Sequence, residues 1–323
     1  MKLFRAKAMI LILAACHGAH AQNPVDESDA IRRATALKVH GDFAGAIAIL
    51  APIAASPSTG LSDEMKGVVW SLLGSTYQIS DNFGRAQYCY ERAITVLQQL
   101  PSAQTELASA INGLGSLEET LGQSTESERL RKRAEKIYEM LDDHAGMARI
   151  STSLAIIALR NNDRSAARAY LARALQESRL AHGLEEDDFA SMSSVQGWLA
   201  LNEKKPQLAL SFFEDAIAHW TRRHGANSCQ VATGMVLRAE AREGNGDFTD
   251  ASTDIQQAEN IFLNVLGRNS TLYWNTVLQE AALLKREGRR RDSWFLEKSA
   301  TSALGNIERQ GCVNCTITAE AFR

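Results

Sequence analysis

Small and large apolar residues recur along this chain at a nearly fixed interval, and the interval predicts its architecture. One unit is explicit: Trp70, Leu73, Gly74, Tyr77, then Phe83, Ala86, Tyr90 and Ala93. Counted from Gly67 as position 1, these residues fall at positions 4, 7, 8, 11, 17, 20, 24 and 27. The same template fits in seven registers. Position 20 is Ala46, Ala86, Ser127, Ala167, Ala209, Ala251 and Ser293, at spacings of 40, 41, 40, 42, 42 and 42 residues. Position 8 is Ala34, Gly74, Gly115, Ala155, Gly197, Ala239 and Ala281. Position 27 is Ile53, Ala93, Ala134, Ala174, Ala216, Ala258 and Ala300, so 20 of these 21 sites hold Ala, Gly or Ser.

Packing explains the small sites. Two antiparallel helices of about 12–14 residues can approach closely only where no bulky side chain stands at their crossing. Positions 8 and 20 face each other within one hairpin, and position 27 meets the next. Larger residues fill the layer between them: Leu73, Leu114 and Leu154 at position 7, and Leu50, Tyr90, Leu171, Phe213 and Ile255 at position 24. The turns agree. Gly41-Asp42-Phe43, Asp81-Asn82-Phe83 and Gly246-Asp247-Phe248 each join a turn former to an aromatic, Gly122 and Gly288 hold the same place, and Pro206 starts a second helix.

The template resembles the tetratricopeptide repeat at every signature position. Its period exceeds the common 34 residues and is similar to the kinesin-light-chain variant. The resemblance implies an all-α, right-handed α-solenoid of about seven helix-turn-helix repeats over residues 27–304. In such an array each unit buries its face against its neighbours only. Some positions depart from the pattern. Pro52 is expected to end or kink its helix near Ala51. Arg131 and Glu297 stand where position 24 calls for an apolar residue. Residues 305–323 read as a loop and extended tail, which leaves the array without a capping helix.

The resemblance further implies an interaction scaffold whose partner, a protein or peptide, lies in a concave groove lined by the first helices. Groove positions 2, 5, 9, 12 and 13, carried onto this chain, include Asn112, Arg149, Arg160, Trp198 and Asn202. Asn112 and Asn202 are expected to pair with an extended backbone, because an amide both donates and accepts. Arg149 and Arg160 suit a carboxylate, and Trp198 suits an anchor. The dense Lys, Asn and Arg set of the domains that grip chaperone C-termini is not present, so that activity is not carried over.

Composition narrows the field. Ala-rich, with five Pro and 7% aromatics, the chain favours helix. Its formal charge of −3 argues against a nucleic-acid surface, and Arg289-Arg290-Arg291 reads as a solvated turn. Residues 1–22 read as an export leader: Lys2, Arg5 and Lys7 precede an apolar core from Ala8 to Ala15 that is too short to span a bilayer. Two endings stay open, cleavage after Ala21 or a lipoprotein leader of residues 1–15 with lipidation at Cys16. Both export the chain, to the periplasm, the medium or a lipid anchor, and the membrane enters only through Cys16.

Signatures of chemistry are missing. The sequence has no HExxH, nucleophile elbow, phosphate loop or dinucleotide fingerprint, so no catalytic residue, metal or cofactor is expected. His219 and His224 read as a helix-end basic cluster, and Cys89 and Cys229 as small helix residues. Cys312 and Cys315 favour a small disulfide loop in an exported protein, with free thiols or a redox or metal role as alternatives. Besides the groove scaffold, two readings remain: an assembly subunit binding through its uncapped end, and a regulatory module sensing a small ligand near Trp198.

Overall fold

The computed structural model describes residues 27–56 and 60–313. These residues form fourteen helices and no strand, paired as seven antiparallel hairpins. The first four hairpins are α1 (Glu27–Val39) with α2 (Phe43–Ala55), α3 (Asp63–Ile79) with α4 (Phe83–Leu97), α5 (Gln104–Thr120) with α6 (Ser124–Leu141), and α7 (His144–Arg160) with α8 (Arg164–Leu180). The last three are α9 (Glu186–Asn202) with α10 (Pro206–His224), α11 (Cys229–Asn245) with α12 (Phe248–Leu266), and α13 (Thr271–Arg286) with α14 (Arg290–Val313).

All twenty small residues of the repeat template are buried. Their size is needed at the crossings. A Cβ on Gly74 would stand 2.9 Å from the Tyr90 ring, and one on Gly197 would stand 2.5 Å from Phe213. The Ser127 hydroxyl donates to the Gly115 carbonyl at 2.7 Å, which shows how near the two helices lie.

Each hairpin turns through one residue with left-handed backbone: Gly41, Asp81, Gly122, Asn162, Lys204, Gly246 and Gly288. Four are glycine, which adopts that conformation without a Cβ penalty. Lys204, at φ 60°, pays it. Behind the turn, Asp42, Asn82 and Asp163 accept from the N–H three residues on and so cap the second helix.

Two expectations are corrected. Pro52 does not break α2, which runs on to Ala55. With a single turn of helix left, its missing N–H forfeits little. Residues 305–313 are not a loop but the continuation of α14, a stretch with no proline to stop it. The Cys312–Cys315 pairing, the remaining tail, the leader and Cys16 lie outside the described residues or side chains.

Arg131 is not a defect in the third repeat. Burial disfavours its charge, but Glu119 lies 2.6 Å away and the Ser153 carbonyl accepts from it at 2.9 Å. A buried ion pair thus takes the place of the apolar residue at position 24.

The array also departs from neighbour-only contact. The first turn packs on the base of the sixth repeat, where Phe43 is buried with Cys229, Ala232, Ile261 and Phe262. Asp81, in the second turn, accepts from the Thr271 N–H at 2.8 Å and from its hydroxyl at 2.6 Å, across 190 residues. His224 bridges the Val39 carbonyl at 3.2 Å and Asp187 at 2.6 Å. Both partners are acceptors, one facing each ring nitrogen. Repeats 1 and 2 therefore touch repeats 5 to 7, and the solenoid closes a turn about every five repeats.

Candidate functional site

The first helices of the repeats carry the groove positions, and their polar groups fall into two regions. In repeats 1 to 3 several of these groups satisfy one another. Lys38 donates to the Ser75 hydroxyl at 2.6 Å, and burial pushes its ammonium down to about 8 against the opposing pull of Asp187. The Gln78 amide donates to Ser116 at 3.3 Å and accepts from the Tyr90 hydroxyl at 3.1 Å. Ser71 Oγ, at groove position 5 of the second repeat, is buried there without a hydrogen-bond partner.

Repeats 3 to 5 differ. A hollow of about 250 Å³ opens between α5, α7 and α9, lined by Asn112, Arg149, Thr152, Ile156, Ser191 and Met192 among others. The Thr152 hydroxyl donates to the Ala148 carbonyl at 2.8 Å, and that of Ser191 to the Asp187 carbonyl at 2.7 Å. Their lone pairs remain free to accept. Asn112 Oδ1 is buried without any hydrogen-bond partner. A buried polar atom left unpaired costs about 1–3 kcal/mol, a cost that a donor entering the hollow would remove.

The five groove residues read from the sequence are not equivalent. Asn112 opens into the hollow. Arg149 lines it, but its guanidinium is already bidentate on Asp188 at 2.8 and 2.9 Å and also donates to the Gly183 carbonyl at 3.2 Å. Arg160 lies 3.1 Å from Glu119, the carboxylate that also holds Arg131. Either arginine would have to give up an internal partner to clamp a foreign carboxylate. Asn202 donates to the Trp198 carbonyl of its own helix at 3.0 Å. Trp198 is half-buried against the cluster around Ala155, Leu159 and Leu199. The sequence reading passed over Ser191 and Met192, although Ser191 occupies groove position 2 of its repeat and the template was sufficient to name it.

Farther along, Glu240 lies on the inner face of the sixth repeat, where burial raises its carboxyl and Glu243 raises it further. Burial also pushes the thiols of Cys89 and Cys229 up to about 12, so both are protonated and unreactive at neutral pH. Among the described residues no His, Cys, Asp and Glu gather into a group that could hold a metal ion, and no helix is long and apolar enough to cross a membrane.

No family model matches the chain. A stretch of 189 residues, 56% of the chain, is 25% identical to a clustered mitochondria protein homolog of Xenopus tropicalis, and it spans 15% of that protein's length. Among solved structures, a Rap protein complexed with competence and sporulation factor superposes with a TM-score of 0.62 at 13% identity, over 88% of this chain and 78% of that one. The apo form of RapI gives 0.56 at 11% identity, over 88% and 100%. Cut9, in the APC/C hetero-tetramer Cut9–Hcn1, gives 0.52 at 14% identity, over 89% and 57%. At such identities the likeness speaks for the fold, which these neighbours share as helical-repeat solenoids.

Proposed function

We propose that this chain, a helical-repeat solenoid of the tetratricopeptide type, is an exported interaction scaffold rather than an enzyme, and that it holds an extended segment of a partner protein on its concave face. The observation that carries this reading is the hollow between α5, α7 and α9, with the unpartnered Asn112 Oδ1 in its wall. At about 250 Å³ it is smaller than the roughly 300–1,000 Å³ of pockets for drug-sized ligands. It suits one or two side chains of a peptide, with a backbone N–H donating to Asn112 and an apolar group against Ile156 and Met192. This favours a peptide over the small-ligand sensor. The Rap neighbour, solved with competence and sporulation factor, and Cut9, solved with Hcn1, support a partner-binding role for this fold.

The test is capture from envelope extract by the native chain and by an Asn112→Ala/Ile156→Ser variant, with circular dichroism confirming equal helicity. A partner held by the first and lost by the second supports the reading. A partner held equally by both refutes the placement in the hollow.

A further inference from the structure

Charged side chains at the inner-face positions of the repeats are nearly all answered within the chain. Arg149 and Arg160 are held by Asp188 and Glu119. Arg286 is held by Glu243, and Lys285 lies 4.0 Å from Glu297. The Lys38 ammonium donates to the Ser75 hydroxyl. Glu240 is the exception. Among the described residues its carboxyl has no hydrogen bond or ion pair to the rest of the chain. The charge that acts on it is another carboxylate, Glu243, and burial together with that neighbour holds its carboxyl above the ordinary value. The residue is half-buried, so the group is partly desolvated and still reachable from the groove.

The repeat register places apolar and aromatic residues beside it. Glu240 stands at position 9 on α11, and the same position is Trp198 on α9 and Ala282 on α13. One turn earlier, position 5 is Val236 on α11 and Leu278 on α13. None of these is a counter-ion. A partly desolvated carboxylate costs free energy until a cation reaches it. An indole on the neighbouring helix adds the kind of ring face that a guanidinium or ammonium prefers. Asn112, in the hollow, has the same polarity, because its unpartnered Oδ1 is an acceptor. Both groups call for donors from a ligand, and the carboxylate calls for a positive one.

We infer that the segment held on the concave face carries an arginine or lysine whose head meets Glu240 beside Trp198. The inference rests on the groove reading and names its specificity. The hollow ends at α9, and Glu240 stands on α11, the next first helix along. Packed helices lie about 8–10 Å apart, a span that an extended chain covers in about three residues. The basic residue therefore falls about three places from the apolar residue seated against Ile156 and Met192. The arginines that the sequence offered as a carboxylate clamp would select the opposite charge. They are already committed to Asp188 and Glu119, so the charge left for a partner is the negative one of Glu240.

An array of immobilised synthetic peptides tests it. Each member carries leucine at one fixed place in an Ala-Ser background, and Arg, Gln or Glu is stepped through the other places. The array is probed with the native chain, Glu240→Gln, Glu240→Lys and the hollow variant Asn112→Ala/Ile156→Ser, and circular dichroism checks that all are equally helical. The native chain is expected to bind Arg members about tenfold more tightly than Gln members, as a hydrogen bond to a charged group allows, when the Arg lies about three places from the leucine. High salt is expected to shrink that preference. Glu240→Gln is expected to abolish the preference and keep the leucine-dependent binding, and Glu240→Lys to shift the preference to Glu members. Binding that the hollow variant loses but that shows no preference for Arg overturns the inference and leaves the groove reading standing. So does a preference that survives Glu240→Gln. A native chain that binds no member, or binding that the hollow variant retains in full, overturns the groove reading and the inference with it.

Discussion

Replacing Phe43 by Ala perturbs a contact that no nearest-neighbour solenoid would have. The ring is almost fully buried, and most of its apolar surroundings, Cys229, Ala232, Ile261, Phe262 and Val265, come from a repeat five units away. Truncating a buried Phe costs about 3–5 kcal/mol through lost transfer and an unfilled cavity. That cost falls on the closure of the superhelix rather than on either hairpin. The first two repeats would be left held by the Asp81–Thr271 and His224–Val39 bonds, and by their own stacking. Phe248→Ala is the control, because the same side chain in the same turn is exposed and its loss as a monomer is expected to stay within about 0.5 kcal/mol. Hydrogen exchange read by mass spectrometry is the assay. In Phe43→Ala, protection is expected to fall together in residues 27–56 and 261–273, and small-angle scattering should show an expanded particle. If residues 261–273 keep native protection while the first hairpin alone loosens, the closure contributes no stability and the reasoning fails.

Other outcomes follow from single sites. Glu259 and Glu280 face each other across α12 and α13, and burial with this like-charged neighbour raises the Glu259 carboxyl to about 8. Its unfolded value is near 4.3, so the unfolded chain releases the proton first and stability should decline as pH rises from about 4.5 to 8. Glu259→Gln is expected to flatten that decline and to add about 1 kcal/mol at pH 8, discounted for the partial exposure of the site, as read by denaturant midpoints across the range. Lys204→Gly should remove the left-handed strain at φ 60° and raise stability by up to about 1 kcal/mol in thermal unfolding. Arg131→Met takes one partner from Glu119 but leaves Arg160 at 3.1 Å. Its cost is therefore expected at about 2 kcal/mol, below the 3–5 of an isolated buried pair, with part recovered in Arg131→Met/Glu119→Gln; an additive double-mutant cycle would contradict the pairing.

Much of this protein was legible in its sequence because the repeat is a local code. A small residue is required wherever two helices cross, so Ala46, Gly74 and Ser127 announced the hairpins before any contact was known. The turn formers marked where each chain reversal falls. The repeat register also assigned the inner face, and Asn112 indeed opens into the hollow. What the register does not encode is how far each hairpin rotates against the next. That rotation is the sum of many small packing choices, and it brings Phe43 to Phe262, Asp81 to Thr271 and His224 to Val39, pairs with no shared pattern in the chain. The same summation commits Arg149 to Asp188 and Arg160 to Glu119, removing two charges that the sequence offered as free. Local helix chemistry fixed what each repeat is, and the accumulated twist of the superhelix decided which side chains were left for a partner.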